Sequence, residues 1–221
     1  HFFIPSYIHN RHITGLSFAL NYKWGQENPF GYHLFNILIH ICSTFLVFFI
    51  TRLTIENGTS WDKDAAQKIA LTTTLLFGLH PIQTESITYI SGRPSGLAGL
   101  FYFLTLFLFI LASLKDCRAI PRLILYLLSL TSFAMAVLSK ETAITLFVII
   151  ILYDLCFIKG PDWVSFRFRL CYYLYYPALA VSILYFAPNL LLYISSHWSE
   201  FFFKHINFPL GLVQLDILKH P

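Results

Sequence analysis

Long apolar runs alternate with short polar links along this chain. The runs lie at 32–53, 65–80, 95–114, 121–138, 142–158 and 169–187. Most approach the roughly 20 residues that an α-helix needs to cross the hydrocarbon core of a bilayer. The pattern predicts an all-α fold, a polytopic transmembrane bundle of about six spans. The second run has a short continuous apolar part, Ile69 to Leu79, so Lys68 is expected to snorkel to the interface while the helix leans on its neighbours. Residues 1–31 read as an extramembrane segment leading into the bundle, and the two together form one domain over 1–187. From 188 to 221, Pro188, His197, Glu200, Lys204, His205 and Pro209 interrupt the apolar stretches Leu190–Ile194 and Phe201–Phe203. That tail reads as an interfacial or re-entrant segment.

Composition agrees with the pattern. Hydrophobic residues make up 57% and charged residues 12%, with a mean hydropathy of +0.64, whereas soluble domains have roughly 45–50% and about 25%. Recurrent spans exclude a lone signal peptide or a single anchor on a soluble domain. The net charge of +4 matters less than its placement. The short links at 52–68, 115–122 and 159–169 hold nine cations: Arg52, Lys63, Lys68, Lys115, Arg118, Arg122, Lys159, Arg167 and Arg169. Positive charge concentrated in short loops marks the cytoplasmic side. Residues 1–31, the His80–Arg93 turn, the Ser139-Lys140-Glu141 turn and the tail then share the extracytoplasmic side. The sequon Asn57-Gly58-Thr59 falls on the cytoplasmic side and is expected to stay unglycosylated. Cys42, Cys117, Cys156 and Cys171 lack CxxC spacing and read as buried small hydrophobes rather than metal or redox groups.

Polar residues between spans carry the candidate chemistry, because an ionisable group at membrane depth costs several kcal/mol without a partner or a function. His33, Asn36, His40 and Ser43 recur at helical spacing on one face of the first run, where hydrogen bonding between helices is the plain explanation. At 80–93, His80-Pro81 ends a helix, Glu85 is the one carboxylate of the turn, and Arg93 carries a planar fork. A Glu85–Arg93 or lipid-headgroup pairing competes there with a substrate contact. Lys140 and Glu141 are adjacent and do not face each other, so separate partners are expected, with Arg11 or Arg93 open to Glu141. No His/Glu cluster has metal-ligand spacing.

Taken in order, Asn10-Arg11-His12-Ile13-Thr14, Pro29–Asn36 with His40, His80-Pro81-Ile82-Gln83-Thr84-Glu85, Ser91-Gly92-Arg93, Ser139–Ala143 and Tyr153-Asp154-Leu155 form a set. Over about residues 10–158 the set resembles the membrane domain of the transmembrane-and-tetratricopeptide-repeat O-mannosyltransferase family and its bacterial relatives, within the GT-C class of glycosyltransferases. The resemblance implies transfer of a sugar from a polyprenyl-phosphate carrier to a hydroxyl acceptor, on a protein or glycan, outside the cytoplasm. Membrane lipid and other membrane subunits are implied partners, and nucleic acid is not. It implies that Arg11, Arg93 and Lys140 contact the donor phosphate or organise its slot. His80, Glu85 and Glu141 would shape the pocket, with Glu85 as this chain's own candidate catalytic residue. No cofactor is implied beyond the lipid-phosphate sugar itself, with a divalent metal left open.

The family's acidic motif lies in a loop after a helix that would precede His1, and residues 1–26 contain no Asp or Glu, so the chain is expected to be a fragment lacking the general base. Arg11-His12 stands where the family has Arg-Pro, and Pro94-Ser95 where it has an acidic residue. Two other readings stay open at this stage. One is a non-catalytic scaffold or accessory subunit built on the same bundle. The other is a transporter, although neither inverted repeats nor broken helices are visible.

Overall fold

The computed structural model describes residues 11–114, 119–158 and 176, all within the first of two compact units, His1–Val181 and Ser182–Pro221. The described residues form helices and no strand. In order these are α1 (His12–Gly25), α2 (Pro29–Gly58), α3 (Lys63–Leu79), α4 (Thr84–Thr88), α5 (Arg93–Ser113), α6 (Ala119–Ser139) and α7 (Leu146–Phe157). Three-ten turns lie at Pro81–Gln83, Ile90–Gly92 and Glu141–Thr145.

Three helical segments are long and apolar enough to cross a membrane: Pro29–Gly58, Ile90–Ser113 and Ile120–Ser139. They contain the first, third and fourth apolar runs. The second run is α3, with 17 residues and with Lys63, Asp64 and Lys68 in its opening turns. The fifth run divides into the three-ten turn and a 12-residue α7, about 18 Å long at 1.5 Å per residue. Lys140 is extended (φ −158°, ψ 130°), and Thr145 hydroxyl donates to the Thr142 carbonyl at 3.1 Å. A local bond of this kind competes with the regular helical ladder. The sixth run and the 188–221 tail lie outside the described residues.

Sequence chemistry sets the helix ends. Asn28 accepts from the amide of Phe30 at 3.0 Å, with Pro29 in the first turn of α2 where its missing donor is harmless. Asp62 accepts from the amide of Ala65 at 2.9 Å and caps α3. The α1 helix was not foreseen within the 1–31 segment; it ends at Gly25, followed by Gln26 at φ 51°.

The helices pack through small and hydroxylic residues, as expected where lipid competes with any apolar contact. On α3, Ala66, Ala70, Thr74 and Gly78 recur every four residues; Ala66 and Ala70 are fully buried. A Cβ added at Gly78 would lie 3.0 Å from Thr44 Cγ2, so α2 and α3 approach closely there. Between α5 and α6, Ser129 hydroxyl donates to the Thr105 carbonyl at 2.9 Å and Ser132 hydroxyl to the Phe101 carbonyl at 3.0 Å. Phe109, Ala112, Phe133 and Ala136 are fully buried, and Tyr176 meets the Phe133 ring edge-on at 4.6 Å. The described cysteines correct the sequence reading: Cys42 and Cys156 are free and exposed. On a helix bordered by lipid, an outward thiol is as well accommodated as a buried one.

Candidate functional site

Proline sets the course of the 80–93 segment. Pro81 has no amide to donate, α3 stops at Leu79, and His80 Nδ1 accepts from the amide of Ile82 at 3.1 Å to open the next turn. The chain then winds tightly back to α5, and Gly92 makes this possible. A Cβ there would stand 2.6 Å from the Glu85 carbonyl and 2.9 Å from Ser86 Cα. This close approach delivers Arg93 as the first residue of α5.

Arg93 turns inward and is fully buried. Its Nε donates to Asn36 Oδ1 at 2.9 Å, Nη2 to the Tyr32 carbonyl at 3.0 Å, and Nη1 to the Ser17 carbonyl at 3.4 Å and to Asn21 Oδ1. The guanidinium also stands 4.3 Å from the Phe18 ring centre and 4.9 Å from that of Phe35, within the range of cation–π attraction. Asn36 in turn donates to the carbonyls of Ile87 and Tyr89 at 3.4 and 3.2 Å. Thus α1, α2, the 80–93 turn and α5 are tied together through one cation. Among the described residues no carboxylate pairs with it. The Glu85–Arg93 pairing considered from the sequence is absent, because Asn side chains and carbonyls of α1 and α2 take the guanidinium first.

The Lys140-Glu141 turn reaches the same end of the bundle. Lys140 Nζ donates to Ser95 Oγ at 2.9 Å, while Arg11 Nη2 donates to Glu141 Oε1 at 3.3 Å. The two adjacent charges therefore have separate partners. Thr14 hydroxyl reaches the Ser139 carbonyl at 3.4 Å, a long bond beside that ion pair. A hydrogen bond from its own backbone amide, then one from Arg11, together with the Arg11 and Lys140 charges, holds the Glu141 carboxyl below the usual carboxylate range.

Two hollows open on this end. One, of about 220 Å³, lies between α2, α3, α4 and α5, with Asn36, His40, Gln83, Ser86 and Arg93 among its polar lining and Phe77 and Phe103 among its rings. The other, of about 320 Å³, is lined by Ala98, Tyr102, Lys140, Thr142, Ala143 and Thr145. Ser95 and Gly99 border both. Among the described residues neither lining contains an Asp or Glu. Among the described residues no three His, Cys, Asp or Glu come together as a metal site would require. The arrangement offers two cations that have no carboxylate partner among the described residues, with hydroxyl and amide groups and aromatic walls. Such a surface can hold an anion joined to a polar, ring-shaped group.

Known proteins share part of this sequence. The chain is 31% identical over 166 residues to the human protein O-mannosyl-transferase TMTC1, covering 73% of this chain and 18% of that protein. It is 32% identical over 152 residues to human TMTC3, covering 68% of this chain and 15% of that protein. It is 36% identical over 107 residues to tmtc2 of Xenopus laevis, covering 48% and 11%. The chain is a homologue of the TMTC protein O-mannosyl-transferases. It spans less than a fifth of the length of these curated relatives. No protein-family profile and no solved structure matches it.

In this TMTC homologue the six site residues expected from sequence separate into three pairs. Arg93 and Lys140 border adjoining hollows. Arg11 and Glu141 bind each other beside the second hollow. His80 and Glu85 are exposed and line neither. The turn places Gln83, Ser86 and Ile87 on one helical face, toward the hollow, and Glu85 off that face. Sequence reasoning missed Gln83, Ser86, Ser95, Gly99, Tyr102, Thr142 and Thr145 as lining residues. The available signal was the pair Ser95 and Gly99, four apart on an apolar helix. His40, noted in the polar stripe, both contacts the Gly78 carbonyl at 3.0 Å and lines the first hollow.

Proposed function

We propose that this chain forms the donor-binding end of a protein O-mannosyltransferase. It would take a sugar from a polyprenyl-phosphate carrier, in the GT-C manner, at the extracytoplasmic face of a multi-pass bundle over 1–187, with an interfacial tail over 188–221. The observation that carries the reading is the pair of cations Arg93 and Lys140, without carboxylate partners among the described residues, at adjoining hollows in a homologue of mannosyltransferases. A dolichol-type phosphate needs a positive, hydroxyl-rich recess, and the acceptor hydroxyl needs a base.

In this reading Lys140 meets the phosphate directly. Arg93 organises the slot, since four of its five N–H groups are already committed to protein acceptors. Arg11 and Glu141 brace the turn that presents Lys140. Glu85, on the outer side of α4, would meet the acceptor rather than the donor.

The test is binding of polyprenyl-phosphate mannose to the chain in lipid nanodiscs, together with mannose transfer to a serine/threonine peptide. Lys140→Met is expected to weaken donor binding tenfold or more with the unfolding temperature unchanged. Glu85→Gln is expected to leave binding intact and lower transfer. Unchanged donor binding in Lys140→Met would remove this assignment. A specific observation favours a second reading, that of a binding subunit without catalysis: among the described residues neither hollow is lined by a carboxylate. Donor binding with no transfer, insensitive to Glu85→Gln, would establish it.

A further inference from the structure

Gly99 lies in the interior of α5, where glycine weakens a helix relative to alanine. Three other helical glycines face close neighbours, whereas Gly31 near the start of α2 meets only Asn21 at 3.9 Å and Gly25 closes α1 with nothing near it. A Cβ at Gly78 would lie 3.0 Å from Thr44, one at Gly58 3.0 Å from Phe157, and one at Gly96 3.4 Å from Ile39. A Cβ at Gly99 would meet nothing within 4 Å. Packing therefore does not require this glycine, and its surroundings are the two hollows, which it borders together with Ser95.

The hollows differ in kind. The Lys140 side offers an ammonium with one of its three N–H groups donated to Ser95, and the hydroxyls of Thr142, Thr145 and Tyr102. The other side offers few free donors from Arg93 but has uncharged polar groups beside two rings. Gln83 and Ser86 side chains make no hydrogen bond among the described residues, and His40 uses only Nε2. At about 220 Å³ this recess lies below the roughly 300–1,000 Å³ of pockets for drug-sized ligands, which restricts it to a group about the size of one sugar ring.

We infer that the two hollows act as one slot continuous over Gly99, with the carrier phosphate on the Lys140 side and the sugar ring on the Gln83–Ser86–His40 side. Gly99 is thus a specificity-determining position: it keeps open the passage through which the phosphate–sugar linkage runs. The inference rests on the donor reading above and assigns the parts of the donor to different walls. Neutral hydrogen-bonding side chains against aromatic rings suit a ring bearing hydroxyls, which presents both polar edges and C–H faces. The ammonium with its hydroxyl neighbours suits a phosphodiester oxygen.

The test compares polyprenyl phosphate with polyprenyl-phosphate mannose as probes, on the full chain in nanodiscs, for wild type, Gln83→Ala, Gly99→Ala and Gly99→Leu. Wild type is expected to bind the mannose form more tightly. Gln83→Ala and Gly99→Leu should each weaken the mannose form about tenfold, the loss expected for one or two hydrogen bonds, and leave the bare carrier bound as in wild type. Gly99→Ala should fold as wild type, since its methyl group meets no protein atom, and should weaken the mannose form by less than Gly99→Leu, since it fills only part of the passage. Equal loss of both probes, or no loss of the mannose form in Gln83→Ala and Gly99→Leu, would overturn the division of the slot while the donor reading stands. Wild type binding neither probe would overturn the donor reading and this inference with it. Unfolding temperatures of all four proteins show that each is folded, and Gln83→Ala decides the matter if Gly99→Leu is not.

Discussion

The two ends of α2 handle charge and polarity in opposite ways. Near its C-terminus, Arg52 Nε donates to Glu56 Oε1 at 2.8 Å, one turn along the same helix, and Thr54 hydroxyl lies 2.8 Å from the Tyr153 hydroxyl of α7. Cation and carboxylate neutralise each other without outside help. Near its N-terminus, Asn36 meets Arg93, and neither Arg93 nor Lys140 finds a carboxylate among the described residues. The closed end is built for structure alone. The open end keeps net positive charge next to empty volume, which is the electrostatic requirement for an anionic ligand.

The sharpest way to break this contrast is to remove the arginine from each end. Arg93→Ala strands Asn36, Asn21 and two carbonyls in a buried site. A loss of several kcal/mol is expected, from about 1–3 kcal/mol for each buried acceptor left without a donor. Arg52→Ala removes a partly exposed helix pair and should cost only about 0.3–0.5 kcal/mol. Denaturant unfolding of both variants in detergent reads the difference, and equal losses would mean that Arg93 does not tie these helices together. Arg93→Lys should fall nearer to Ala than to wild type, because an ammonium cannot serve four acceptors on two helices.

A smaller effect comes from Gly92. Gly92→Ala sets a methyl group against the Glu85 carbonyl and Ser86 Cα, an overpacking expected to cost about 1–3 kcal/mol. It should also loosen donor binding, because the turn that positions Arg93 and Gln83 must shift. Gly99→Ala, on the same helix but with open space, is the control for stability and should leave the unfolding temperature unlowered.

The smallest effect concerns the ion pair at the rim. Glu141 titrates below the usual carboxylate range when folded, so its contribution is present above the unfolded value of about 4.3 and is lost as pH falls through the folded value. The side chain of Glu141 is 59% exposed, so the contribution is small and screened by salt. The unfolding-temperature gap between wild type and Glu141→Gln should therefore be widest near neutral pH and vanish in acid. A gap that persists well below pH 4 would assign the effect to something other than the charge.

Much of the open end could be anticipated from residues alone, because an ionisable group beside an apolar run is improbable without cause. Arg93, Lys140, Glu141 and Arg11 were found in that way, as was the bonding between helices by Asn36 and His40. Other features leave little trace in a linear pattern. The acceptors that draw Arg93 inward are partly backbone carbonyls of Ser17 and Tyr32, and every residue has one of those. α1 escaped notice because its apolar residues do not gather on one face. Glu85 and His80 share a segment with lining residues, but a turn this tight alternates inner and outer positions within two residues. The hollows depend on what is missing, a side chain at Gly99, and absence is harder to read than presence.

The reach of Arg93 bears on how the chain is assembled. Its acceptors Asn36, Tyr32, Asn21 and Ser17 lie 57, 61, 72 and 76 residues earlier in the sequence. An arginine entering a bilayer at a helix centre costs about 2.5–3.5 kcal/mol, less near an end, until those acceptors surround it. Because synthesis proceeds from the N-terminus, α1 and α2 emerge first and form the receptor into which α5 docks. Arg93 thus makes α5, the second of the three long apolar helices, dependent on α1 and α2, and it sets the order in which these helices come together.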